Sequence, residues 1–233
     1  MKKIIFSSIL AFMATVALAQ DCFTVKMSMK IEGLPPEYAG FGDNEITSYS
    51  KGEKHKQETV GMMGSNVNYF DGTTLTSLSD QMGNKTGYTM TKEELEAEDK
   101  KNKSDNKPNI EYTNDKKTIA GYECTKAIVT VIDKKDKKEN KVTLWVTDKL
   151  KSPDKHSKGM SGRGMDFGDL KGYPLSIEAS QNQGGMDMKV VMVATEVNTD
   201  LIDDSVFKAN TEGFKMMSYT EYMDKMKAMR GGQ

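Results

Sequence analysis

From position 23 the chain alternates strictly. Phe23, Val25, Met27, Met29 and Ile31 are apolar, and Thr24, Lys26, Ser28 and Lys30 between them are polar. Five apolar residues at period two predict a strand with one buried face. At about 1.5–3 kcal/mol per buried side chain, that face is a large share of any core. Shorter strand-like runs follow. Residues 46–50 and 55–60 flank Lys51-Gly52, and residues 66–70 and 73–78 flank Asp71-Gly72, a two-residue hairpin signal. Gly83-Asn84 separates the last of these from 86–90. This half reads as an antiparallel meander. Thr91 with Glu94 three residues on has capping-box spacing, which predicts a helix over 92–100. Its only apolar residues are Leu95 and Ala97, so it belongs on the surface.

The second half resumes with runs at 110–112 and 117–124. Runs 127–132 and 142–146 are joined by the charged stretch 133–140, and runs 175–179 and 188–197 meet across Gly184-Gly185. Three segments are apolar on both faces: 127–132, 142–146 with Trp145, and 190–194. Such strands need covering twice, by the opposite wall of a barrel or by a packed helix. The pattern therefore predicts a mainly β (α+β) fold, a curved antiparallel sheet or incomplete β-barrel with a few short helices. Mobile loops are expected near 101–109, which is polar, and 151–171, which is rich in glycine and aperiodic. A last helix over 219–229, with Ser218 as its cap, presents Tyr222, Met223, Met226 and Met229 as an apolar stripe.

The first nineteen residues stand apart. Lys2 and Lys3 precede an apolar run from Ile4 to Val16, which ends at Ala17-Leu18-Ala19. This is the order of a cleavable secretory signal peptide, residues 1–19. The run is too short for a membrane span of ~20 residues. Gln20 and Asp21 before Cys22 do not form the small-residue box that lipidation requires. The expected mature protein, residues 20–233, is one domain in the periplasm or secreted, without a transmembrane segment.

Lys and Arg number 33 against 34 Asp and Glu, so there is no net basic field for nucleic acid. The two cysteines, Cys22 and Cys124, either form a disulfide, which an oxidising compartment permits, or are two buried free thiols. The only histidines are His55, in a polar strand, and His156, in the Lys/Ser-rich loop, and both read as solvated surface residues. No G-x-S-x-G, H-E-x-x-H, P-loop or Rossmann fingerprint is present. The chain reads as a non-enzyme without a cofactor. Methionine is overused, at 18 residues. Thioethers suit copper(I) or silver(I), so Met186, Met188, Met223, Met226 and Met229 form an alternative metal-binding set. The competing account is packing, for which methionine is an adaptable filler.

Ile119-Ala120-Gly121-Tyr122-Glu123-Cys124, then Val142-Thr143-Leu144-Trp145-Val146-Thr147-Asp148-Lys149-Leu150, then Gly172-Tyr173-Pro174-Leu175-Ser176-Ile177 carry a resemblance. Over about 110–180 the chain resembles the exported bacterial domain-of-unknown-function family 4412, and it is similar to the GLPGLI family. The resemblance implies a fold like the lipoprotein carriers LolA and LolB, an incomplete antiparallel barrel with helices lining its open side. It implies no catalytic residues. The combined expectation is a half-barrel holding an apolar ligand, a lipid or acyl chain, or a lipid-bearing partner. Phe23, Val25, Met27, Met29, Ile31, Trp145, Val191 and Val193 are the expected lining. The alternatives are the methionine metal site and a structural envelope component with no small ligand.

Overall fold

A computed structural model describes residues 19–102, 108–132, 139–151, 170–183 and 186–230. Residues 1–18 of the expected signal peptide, most of both expected mobile loops (103–107 and 152–169), residues 133–138 of the expected hairpin connection, Gly184-Gly185 and His156 lie outside the described residues.

The strands are β1 (Cys22–Glu32), β2 (Asn44–Lys51), β3 (Lys54–Gly61), β4 (Gly64–Phe70), β5 (Thr74–Gln81), β6 (Asn84–Thr91), β7 (Asn109–Ile119), β8 (Tyr122–Ile132), β9 (Glu139–Thr147), β10 (Tyr173–Gln183), β11 (Met186–Asn198) and β12 (Lys215–Ser218). Helix α1 (Lys92–Asn102) follows β6, and α2 (Tyr219–Arg230) ends the described chain. All twelve strands form one open, curved sheet, in the order β12-β6-β5-β4-β3-β2-β1-β11-β10-β9-β8-β7. Each neighbour is antiparallel except β12, which pairs parallel to β6, so the sheet is mixed. The meander of the first half, β2 to β6, is present as the periodicity predicts. The five strands β7 to β11 form a second meander. β1 lies between the two, paired with β2 on one side and β11 on the other.

The sheet rolls up at its β7 end. Strand β7 approaches β11, four places away in the sheet, to within 8 Å between Cα atoms. Ile110 of β7 joins the cluster that Ala127, Val129, Val142, Leu144 and Ile177 build, and Met192 of β11 packs against the same cluster. At the far end Phe70, Leu75 and Met90 form a separate core, which Leu95 of α1 and Tyr219 of α2 cover. Both helices begin with reciprocal caps. The Glu94 amide donates to Thr91 Oγ1 at 3.2 Å and the Thr91 amide to Glu94 at 2.8 Å. Ser218 and Glu221 repeat the arrangement. The capping signals were legible in sequence because they are local.

Two expectations change, and one open alternative narrows. The 117–124 segment is not one strand: it is the end of β7, a two-residue turn and the start of β8. Ala120 and Gly121 both have positive φ, at 46° and 84°, as a tight hairpin turn demands. Alanine hides that turn, because Asn or Asp normally stands there. His55 is buried, not solvated. It sits on the inward side of β3, and its Nδ1 hydrogen-bonds Ser50 Oγ at 2.9 Å. Of the two open readings of the cysteines, free thiols are present, with Cys124 buried and Cys22 only half-buried. Cys22 alternates away from Phe23 and directs its Sγ toward the Asp200 carbonyl, whereas Cys124 is buried in the cluster that contains Phe23. Burial pushes the Cys124 thiol up to about 11.

Candidate ligand-binding face

Directly paired residues on neighbouring strands share a face, and successive residues alternate. The registers therefore assign every strand position to one side of the sheet. Starting from Phe23, Val25 and Met27 on β1, the same side carries Ser50, Ser48 and Ile46 of β2, then His55, Gln57 and Thr59 of β3. It continues through Phe70, Asn68 and Asn66 of β4, Leu75, Ser77 and Ser79 of β5, and Met90, Tyr88 and Thr86 of β6. In the other direction it carries Val190, Met192 and Ala194 of β11, Ile177 and Ala179 of β10, and Val142 and Leu144 of β9. Ile110 and Met192 meet on this side, so it is the inner side of the curl.

The inner face has a property that no single strand displays. Among the described residues, no Lys, Arg, Asp or Glu occupies it on any of the nine consecutive strands from β9 to β6. The outer face of the same strands carries Lys26, Lys30, Glu45, Lys56, Glu58, Asp80, Lys85, Glu178, Lys189 and Glu196. The ion pairs follow suit. Lys26–Glu196 at 2.8 Å, Lys56–Glu58 at 2.6 Å and Lys189–Glu178 at 2.8 Å all lie outside. Lys56 also lies over the rings of Tyr49 and Tyr69, at 5.1 and 5.2 Å. In a chain that is 29% charged, this segregation confines the charges of these strands to one side, which also buries Ser176, Thr76 and Leu78 locally.

Within the inner face there are two zones. On β1 and β9 to β11 it is apolar, with Phe23, Val25, Met27 and Val190 buried and Met29, Ile31 and Met192 half-buried. On β2 to β5 its middle is polar but uncharged, built from Ser, Thr, Asn and Gln, with the buried Ile46, His55, Phe70 and Leu75 beside it on the same face. Tyr173 and Leu175 join Phe23 in one cluster, where the Phe23 and Tyr173 rings meet edge to face at 5.1 Å. Full burial raises the Tyr173 hydroxyl pKa, and its hydrogen bond with Ser48 opposes that rise. Leu150 closes the same cluster, held there because Gln20 pairs with it as an isolated parallel bridge.

The eight expected lining residues are divided by this geometry. Phe23, Val25, Met27, Met29 and Ile31 share the inner face. By register Trp145, Val191 and Val193 fall on the opposite side of the sheet, although Trp145 and Val193 still pack against the cluster that contains Phe23, Val25 and Met27. Trp145 is half-buried there with the Lys117 ammonium 5.6 Å from its ring, and Val191 stands between Glu178 and Lys30 in register. The residues that take their place inside are Val190 and Met192. The 190–194 run is apolar at every position, so its periodicity could not choose a side.

The methionines do not converge. Met186 is exposed and Met188 buried near the start of β11, whereas Met223 and Met226 are half-buried on α2, which packs at the β6 end. The side chain of Met229 lies outside the described residues. Several other methionines sit at one end of the sheet, at hairpin tips: Met62 and Met63 between β3 and β4, and Met82 between β5 and β6. Met82 has φ of 52°, a left-handed conformation that a bulky residue adopts only at a cost. No helix among the described residues is long and apolar enough to cross a membrane.

No protein-family model matches the chain, and no curated protein matches it. Among solved structures it is similar to the Mycobacterium tuberculosis lipoprotein LppX, at 12% identity and a TM-score of 0.36, over 76% of this chain and 89% of that one.

Proposed function

We propose that the protein is a non-enzymatic binding protein that works outside the cytoplasm and holds an apolar ligand, a lipid or acyl chain, against the inner face of its sheet. One observation carries this reading: the inner face excludes charge over nine strands while the outer face collects it. A surface that merely met water would carry Lys and Glu on both sides, and a face this free of charge favours contact with hydrocarbon. The half-buried Met29, Ile31 and Met192 supply adaptable side chains where the buried core gives way to solvent.

Mass spectrometry of the protein purified without detergent tests the reading. A lipid released reproducibly in stoichiometric amount is the expected result. An empty protein that also fails to bind a fluorescent acyl probe overturns it. N-terminal sequencing of the same material checks the export proposal. A start at Gln20 is expected, and a retained Met1 defeats it.

A further inference from the structure

The polar zone of the inner face specifies the other end of the ligand. We infer that the protein takes an amphiphile whose headgroup is uncharged and rich in hydroxyls, of the sugar or polyol type, with its tail on β1 and β11 and its headgroup on β2 to β5. This rests on the lipid-binding reading above and extends it to the class of ligand.

The registers align Ser48, Gln57, Asn68 and Ser77 as one cross-strand row, and that row starts beside Val25 of the apolar zone. Thr59 and Asn66 lie in the next row, which starts beside Met27 and Ile46. The two zones are therefore continuous along the same rows. The polar side chains are amides and hydroxyls, groups that both donate and accept. No ammonium, guanidinium or carboxylate stands among them, and the nearest imidazole, buried His55, lies one row away, bonded to Ser50 and paired with Phe70. A charged headgroup would be desolvated there without a partner, which is costly, whereas hydroxyls match the lining donor for acceptor. Three of the four side chains in the row already have a partner: Ser48 bonds the Tyr173 hydroxyl, and Asn68 and Ser77 are engaged as well. Asn68 donates to Asn66 Oδ1 at 2.9 Å, and Ser77 bonds the Tyr88 hydroxyl. The side chains of Gln57 and Thr59 make no hydrogen bond to any other described residue. Half-buried amides without partners are what a hydroxyl-bearing ligand would complete.

The test uses the full mature chain and probes with one tail and different heads, below their micelle concentrations: dodecyl maltoside, dodecyl phosphate, dodecyltrimethylammonium and dodecanol. Displacement of a fluorescent acyl probe reads the affinities. Dodecyl maltoside is expected to bind at least tenfold more tightly than either charged probe. Gln57→Leu with Asn68→Leu should remove roughly a factor of ten from the maltoside affinity, about what one or two hydrogen bonds supply, and leave dodecanol unchanged. The near-isosteric pair Gln57→Glu and Asn68→Asp should do the same without altering shape, which keeps the test open if the leucine pair folds poorly. Equal affinity for all heads, preference for a charged head, or a maltoside preference that survives both pairs overturns this inference and leaves the lipid-binding reading standing. Failure of every probe to bind overturns both.

Discussion

Val190 and Val191 are identical side chains at adjacent positions of one strand, and the register puts them on opposite faces. Val190 is 3% exposed and lies between Ile31 and Ala179, whereas Val191 lies half-exposed between Lys30 and Glu178. Replacement of either by alanine removes the same two carbons, so strand propensity cancels in the comparison. For Val190→Ala the transfer loss is about 1.6 kcal/mol at ~0.8 kcal/mol per carbon, and an unfilled cavity brings the total to roughly 2–3 kcal/mol. For Val191→Ala the loss should stay below about 1 kcal/mol, because much of the side chain already meets water. With a urea dependence of about 2–3 kcal/mol per molar for a domain of this size, Val190→Ala should lower the unfolding midpoint by about 1 M and Val191→Ala by less than ~0.5 M. Equilibrium urea unfolding followed by Trp145 fluorescence measures both. A slip of one residue in the β1–β11 or β10–β11 pairing would invert the two faces. Val191→Ala costing as much as Val190→Ala would therefore refute the register and, with it, the inner face.

Three further outcomes follow from the same geometry. Titration with a disulfide reagent at pH 8 should find two thiols, with half-buried Cys22 reacting in the native protein and Cys124 only after unfolding; a count of none would show a bridge instead. Ala120→Asn and Met82→Asn each place a residue tolerant of positive φ in a left-handed turn position, and each should raise stability by about 0.5–1 kcal/mol; a lowered thermal midpoint in either would contradict the turn assignment. Lys51 and Lys54, at 2.7 and 3.0 Å, hold the Asp204 carboxyl at about 2, below its ordinary value of 3.8. A depressed carboxyl stabilises the fold above its unfolded value, and that contribution disappears as pH falls from about 4 to 2. Asp204→Asn should flatten the pH dependence of stability in that window, and an unchanged slope there would discount the pair.

How far the sequence reveals this fold depends on the element. Strand β1 is plain because its apolar and polar residues alternate without exception. Both helices announce themselves through caps that are only three residues long. The Ile119–Tyr122 turn is hidden, because Ala-Gly lacks the Asn or Asp that normally marks a left-handed position. β12 is four residues, Lys-Met-Met-Ser, whose pairing with β6 is decided by tertiary contact and close approach: Gly87 admits Met216 and Leu78 where a Cβ would lie 2.7 Å from each. The site was half legible for a related reason. Hydrophobic periodicity finds Phe23 to Ile31, but it is silent on Gln57, Asn68 and Ser77, which count simply as polar. What distinguishes them is the absence of charge, and that becomes visible only after register aligns one strand with the next. Val191 falls on the other face by register, because an all-apolar run contains no phase.

The position of β1 has a consequence for how the chain reaches its native state. Each of the two meanders can zip through short hairpins, but the seam that unites them joins partners such as Lys26 and Glu196, 170 residues apart. A pairing of such separation closes late and slowly. Until β11 arrives, β1 has one satisfied edge and one bare one, behind a row of exposed Phe, Val and Met. That is the profile of a strand that recruits other chains. A polypeptide halted short of Met186 is therefore predisposed to aggregate through its own first strand, and the late strand β11 serves as the guard of β1.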